Sequence, residues 1–180
     1  MVRLILNDEH FSGVLVEAFE RCRYRLFIST ADVKDVHIPG FSPTGRGTNR
    51  ASSIMEVFES LSDRGVQVSL LHSGVPSGPL LAELKRGIPE NLTMRRCPRV
   101  HAKAVVVDGR WMYLGSANLT GAGLGAKSVR RRNFEAGIWT DELSMIDPVV
   151  DMLDDVFNGG RCASCGRKRY CPVPLEEPEL

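Results

Sequence analysis

Residues 100–123 read VHAKAVVVDGRWMYLGSANLTGAG, and the fold and chemistry of the whole chain hang on them. They hold His101, Lys103, Asp108, Gly115, Ser116 and Asn118 in the spacing H-x-K-x4-D-x6-G-S-x-N. On a strand, residues two apart face the same side, so His101 and Lys103 would share a face while Ala102 and Ala104 point away. Val105, Val106 and Val107 continue as a buried β run, and Asp108-Gly109 is a turn signal. Residues 111–114 then read as the return strand of a hairpin. It would deliver Gly115, Ser116 and Asn118 to a Gly-rich loop beside the hairpin's start. An imidazole, an ammonium, a hydroxyl and an amide held together on strands suit an anionic, tetrahedral group such as a phosphodiester. The plainer reading is a buried hairpin with an incidental His and Lys. It is disfavoured because an inward lysine beside a histidine is costly without a partner.

This stretch resembles the HKD motif of the phospholipase D superfamily, across all six specified residues. Six residues at about one in twenty each coincide by chance in a chain this long roughly once in several hundred thousand sequences. The resemblance implies a single phospholipase D-like domain that works through His101, Lys103, Ser116 and Asn118, with no cofactor for catalysis. The Asn133-x-Glu135 pair after the loop also resembles the superfamily, where such a glutamate hydrogen-bonds the motif histidine. That role carries to Glu135, and a carboxylate on one imidazole nitrogen would fix its tautomer. Asp108 and Gly115 are expected to be structural members of the motif. The family's catalytic centre needs two such motifs, and this sequence holds one H-x-K. The expectation is therefore a homodimer sharing one active site. The short single-motif form resembles the bacterial nuclease branch, which implies a metal-independent phosphodiesterase acting on nucleic acid. A lipid hydrolase or transphosphatidylase is the alternative, as is a nucleic-acid-binding module of a larger defence or repair complex.

Composition bounds these readings. The 180 residues are 43% hydrophobic and 25% charged with net charge +1, which is ordinary for one globular domain and offers no global field to steer a polyanion. Basic patches must be local. Lys127, Arg130, Arg131 and Arg132 form one candidate contact for substrate phosphates, and Arg95-Arg96 form another, expected to be exposed. No apolar run approaches a membrane span, the N-terminus does not read as a signal peptide, and five cysteines fit a reducing compartment. A cytoplasmic protein that does not engage membranes is expected.

Along the chain, residues 4–6 read as a lead-in strand. Asn7 or Asp8 can cap a helix to about residue 23, with Phe11, Leu15, Ala18, Phe19 and Cys22 on one face. Residues 24–29 (YRLFIS) read as a central strand. Residues 31–50 form a long polar connection carrying Lys34, His37, Arg46 and Arg50, read either as a solvated loop or as a substrate-side flap. Ser52-Ser53 opens a helix that Gly65 ends, and residues 66–71 form the next strand. His72 follows at a strand end, where a structural role is favoured. This helix–glycine–strand succession predicts an α/β fold, with a mixed, mostly parallel sheet flanked by helices on both faces. A short helix over 80–85, strands over 92–96 and 134–139, and an amphipathic helix over 142–157 complete the catalytic domain, residues 1–158.

Residues 159–180 form a Cys-containing tail. Cys162-x2-Cys165-x5-Cys171 is a compact thiol cluster that could hold structural zinc, or alternatively an iron–sulfur cluster. Cys97 is the leading fourth ligand, with Cys22 or a histidine behind it. Three unligated thiols are the plain alternative. The final PVPLEEPEL reads as a disordered end.

Overall fold

The computed structural model describes residues 1–38 and 51–177. The chain opens with strand β1 (Val2–Leu6), in which Ile5 alone is buried. Asn7, at φ +49°, turns it into a helical segment, π-type over Phe11–Val16 and then α1 (Glu17–Arg21). This segment buries Val14, Leu15, Ala18 and Phe19. After β2 (Arg25–Thr30) come a short antiparallel pair, β3 (His37–Ile38) and β4 (Ser52–Ser53), and the helix α2 (Ile54–Asp63). A capping box starts α2: the Ser53 hydroxyl accepts the Glu56 N–H at 3.2 Å, and the Glu56 carboxylate accepts the Ser53 N–H at 2.9 Å. Gly65, at φ +76°, ends it and leads to β5 (Gln67–His72). There follow α3 (Gly78–Leu84), β6 (Leu92–Arg96), β7 (Lys103–Val107), β8 (Trp111–Gly115), β9 (Ala136–Thr140) and α4 (Leu143–Phe157). The 31–50 connection lies largely on residues 39–50, so the flap with Arg46 and Arg50 falls outside the described residues. Lys34 pairs with Asp32 at 3.1 Å, and His37 Nδ1 lies 3.4 Å from Asp35.

Seven strands form one mixed sheet in the order β1-β9-β8-β7-β2-β5-β6. The α/β class stands, but the balance of the sheet is the reverse of that expected. Only β2/β5 and β5/β6 are parallel; the other four pairings are antiparallel. The two parallel pairs are those whose connections carry α2 and α3. From β7 onward no crossover helix intervenes, and strands joined by hairpins and loops pair antiparallel.

Helices cover both faces. On one, Leu15, Ala18, Phe19, Val57, Phe58, Leu61, Leu80 and Leu84 pack on Leu26, Ile28, Val68, Leu70, Val105, Val107, Tyr113 and Trp139. On the other, Ile146, Leu153 and Phe157 of α4 pack on Phe27, Leu71, Ala104, Val106 and Met112. This second cover stops short of the β1 edge. Val2, Leu4 and Leu6 pair with Thr140, Ile138 and Ala136, and Leu114 pairs with Ile138, so all share that face. Leu4 is 62% exposed and Val2 53%, while Ile138 and Leu114 are half-buried. The result is an open apolar sheet face.

Two local devices fix the β7–β8 hairpin. At the turn, Asp108 and Gly109 have φ of +54° and +64°, and the Arg110 N–H closes on the Val107 carbonyl at 2.9 Å, as in a type I′ hairpin. The Asp108 carboxylate reaches back more than eighty residues in sequence. It accepts the N–H groups of Tyr24 and Arg25 at 2.8 Å and of Arg23 at 3.0 Å, and the Cys22 thiol at 3.7 Å. It thereby closes the corner between α1 and β2. At the other end the Tyr113 ring lies across two cross-strand partners, Gly115 and Gly137. A Cβ on Gly115 would stand 2.3 Å from the Tyr113 hydroxyl and 2.7 Å from the Ala136 carbonyl; one on Gly137 would stand 2.4 Å from the ring.

Asp108→Ala strands three backbone donors. It is expected to lower unfolding free energy by about 2–3 kcal/mol, read as a fall in urea midpoint without a change in slope. Gly115→Ala is expected to cost about 2–4 kcal/mol, because backbone rather than a flexible side-chain end must yield. An unchanged thermal midpoint for that variant would refute the Tyr113 fit.

Candidate active site

The motif residues gather at one end of the sheet, where β2, β5 and β8 finish and β7 and β9 begin. Lys103 opens β7 opposite Gly115, and Ala104 pairs with Ser29 near the end of β2. His101 does not lie on the strand, as the alternation implied; β7 begins at Lys103, and His101 stands exposed in the preceding loop. The two side chains meet nonetheless. Lys103 Nζ lies 3.2 and 3.1 Å from the His101 ring nitrogens and donates to the His101 carbonyl at 2.8 Å. Burial pushes the Lys103 ammonium below its ordinary pKa, and the Glu135 carboxylate opposes that shift. A lysine so placed has shed part of its hydration, so an incoming anion displaces less water.

Glu135, buried just before β9, is held from three sides. Ser116 Oγ donates to Glu135 Oε2, Asn133 Nδ2 donates to Oε1 at 2.9 Å, and the Glu135 N–H donates to Asn7 Oδ1 at 3.3 Å. Ser116 in turn accepts the Ala136 N–H at 3.0 Å. The glutamate therefore grips Ser116 and Asn133, where the family resemblance implied His101. The imidazole lies within reach of Lys103 instead, because His101 sits in the loop.

Asn118 Oδ1 accepts from Thr30 Oγ1 at 3.3 Å and from the Ala31 and Asp32 N–H groups at 3.1 and 3.2 Å. The two backbone N–H donors settle which amide atom is the oxygen and leave the NH2 as its donor end. Gly123 packs against the Asn118 backbone, where a Cβ would stand 2.7 Å from the Asn118 carbonyl. Thr30 and Tyr113 were not singled out from sequence, and Asn7 was read only as a helix cap, not as a partner of Glu135. Asn7 directly after an apolar run was the available signal for a turn; Tyr113 and Thr30 had none.

The basic residues divide. Lys127, Arg130 and Arg131 are exposed on the loop before Glu135, with Val129 and Phe134, the latter 97% exposed. Arg132 is half-buried and pairs with Asp8 at 3.0 Å. Arg95 and Arg96 are not the exposed pair expected. Arg96 binds Glu176 at 2.8 Å and the Ser73 carbonyl at 3.1 Å; Arg95 donates to the Phe157 carbonyl at 2.8 Å and lies over the Phe157 ring at 4.7 Å. The tail is likewise docked as far as it is described, with the Arg96 N–H on the Glu176 carbonyl at 2.9 Å.

His72 is buried, with Nδ1 2.8 Å from the Gly74 carbonyl, and burial lowers its pKa. Cys97, Cys162, Cys165 and Cys171 line one cavity. Among the described residues no three His, Cys, Asp or Glu are gathered closely enough to hold an ion. Cys22 is excluded as a fourth member, being buried against Asp108 with its thiol pushed up to about 12. Among the described residues no helix is long and apolar enough to cross a membrane.

Residues 15–158 match the family described as cardiolipin synthase, PLD-like domain. No curated protein sequence matches the chain. Among solved structures, NucT from Helicobacter pylori superposes with a TM-score of 0.59 at 14% identity, covering 86% of this chain and 94% of that one. Nuc from Salmonella typhimurium, a phospholipase D family member, gives 0.57 at 17%, covering 88% and 94%. The phosphatidylserine synthase of Haemophilus influenzae gives 0.55 at 16%, covering 86% of this chain but 38% of its own. The fold is common to all three, the family match spans most of the sequence, and the chain belongs to the phospholipase D-like domain family.

Proposed function

We propose that this protein is a metal-independent phosphodiesterase that cleaves nucleic acid through a phosphohistidine, as a homodimer with one shared centre. The observation that carries the reading is the meeting of Lys103 with an exposed His101 at the sheet end that also bears Ser116, Asn118 and Glu135. A ring nitrogen of one His101 attacks phosphorus; the N–P bond forms and the bond to the leaving oxygen breaks. The partner's His101, protonated, gives its proton to that oxygen. The same imidazole then takes a proton from water, whose oxygen attacks phosphorus and breaks the N–P bond. Lys103 and the Asn118 amide bind the non-bridging oxygens. Glu135 holds Ser116, and its negative charge opposes the burial that lowers the Lys103 pKa.

Two observations support the dimer. The sequence holds one H-x-K, and the open apolar face of β8, β9 and β1 runs directly into the site, since Leu114 precedes Gly115-Ser116 and Ala136 follows Glu135. A second copy of this chain would cover that face and bring in the second histidine. The resemblance of the single motif to the bacterial nuclease branch supports a nuclease. Lys127, Arg130 and Arg131 on the loop before Glu135 suit a phosphate backbone. A lipid diester is the second reading, favoured by the exposed Val129 and Phe134 that flank those arginines.

Purified protein is expected to cut single- or double-stranded DNA or RNA in EDTA, and His101→Ala is expected to lower the rate by about 10³-fold or more while leaving the dimer intact. Cleavage of phospholipid vesicles alone would favour the lipid reading. Leu4→Glu, on an exposed edge position, is expected to yield folded monomer by analytical ultracentrifugation with activity lost in parallel. A fully active monomer would overturn the shared centre.

A further inference from the structure

The last described segment has almost nothing of its own to hold it. Between the end of α4 and Glu176 the only regular structure is one 3-10 turn, Lys168–Tyr170, and Tyr170 and Val173 are 67% and 54% exposed. A segment this short cannot build an apolar core, and small knobs of this kind need a covalent or metal staple. Its ends are nevertheless fixed, one by α4 and the other by the Arg96–Glu176 backbone and ion pairs.

Between those ends three cysteines face a fourth. Cys162, Cys165, Cys171 and Cys97 line one cavity, together with Arg99, Arg167 and Lys168. Cys165 Sγ accepts the Arg167 backbone N–H at 3.4 Å and Arg99 Nη1 at 3.6 Å. A neutral thiol is a poor acceptor, so two donors aimed at one sulfur suit a thiolate.

We propose that Cys97, Cys162, Cys165 and Cys171 form a structural tetrathiolate zinc site that staples the tail to the loop leading into His101. The sulfurs ring the cavity without yet meeting at a point, since no three are within ion-holding distance among the described residues. Binding therefore draws the tail loops inward, a closure that a segment with few contacts of its own resists little. Four thiolates and Zn²⁺ carry a net double negative charge, which Arg99, Arg167 and Lys168 offset. The Cys-x2-Cys turn supplies two ligands, with the Cys165 N–H on the Cys162 carbonyl at 3.2 Å. Cys97 supplies the link to the site. Its N–H is held by the His72 carbonyl at 2.8 Å, and only Pro98, Arg99 and Val100 separate it from His101. The staple does not depend on the proposed reaction.

The test is elemental analysis of protein purified anaerobically under reduction, with Co²⁺ exchanged into the same site and limited proteolysis of the full chain. About one zinc per chain is expected, and the cobalt form should show intense thiolate-to-metal charge-transfer bands. In Cys171→Ser and, separately, Cys97→Ser, zinc should fall to about a tenth of that content. Residues 161–174 should become the first site of cleavage, with the circular dichroism of the rest unchanged. Chelator treatment of the wild-type chain should reproduce the same cleavage. Absence of metal, zinc retained in both variants, iron with acid-labile sulfide, or a disulfide among these cysteines would each overturn the assignment.

Discussion

The fit of the Tyr113 ring over two facing glycines is the constraint on which the site depends. Gly115 and Gly137 are cross-strand partners, and neither position has room for a methyl group beneath the ring. The hydroxyl lies past the strand end and accepts the Ala117 N–H at 3.2 Å. Burial pushes it up to about 12, so it stays a neutral phenol. The loop that carries Ser116 and Asn118 leaves the sheet at that hydrogen bond, and it returns at Glu135, two residues before Gly137. One aromatic ring thus sets where the loop starts and where it ends.

The motif has two ends with separate tasks. Lys103 and its neighbour His101 stand where β7 begins, and Asp108 stands where it finishes, about 17 Å away at strand rise. Asp108 touches no part of the site. Its carboxylate ties a left-handed turn to the backbone of residues 23–25, so the hairpin is bolted to the α1–β2 corner. A spacing that reads as one signature therefore combines the candidate site at one end with closure of the fold at the other.

How much of this was legible in the sequence depends on whether local pattern or distant pairing decides. The β run at residues 103–107, the Asp108-Gly109 turn, the helix start at Ser52-Ser53 and the α4 face are set by neighbours along the chain. Sheet direction is not: the helix–glycine–strand unit correctly implied β2 parallel to β5, but nothing local says that β1 will pair with β9. Arg95 and Arg96 read as a free basic pair because their partners, Glu176, Glu177 and the end of α4, are more than sixty residues away. Glu135 was found by its spacing to Asn133, yet its hydrogen bond to Ser116 follows from a loop path that spacing does not encode.

The pairing of β1 with β9 also bears on synthesis. Val2 meets Thr140, so the first strand made must wait for residues 136–140 before it has a neighbour. Until then Val2, Leu4 and Leu6 have no sheet to join, while the β2–α2–β5–α3–β6 half can already consolidate around short-range contacts. Asn7 holds the Glu135 backbone through that same late pairing, at 2.9 Å from the Glu135 carbonyl. The end of the sheet that bears the candidate site is thus among the last parts to set, and a nascent chain carries His101 and Lys103 well before the scaffold around them is complete.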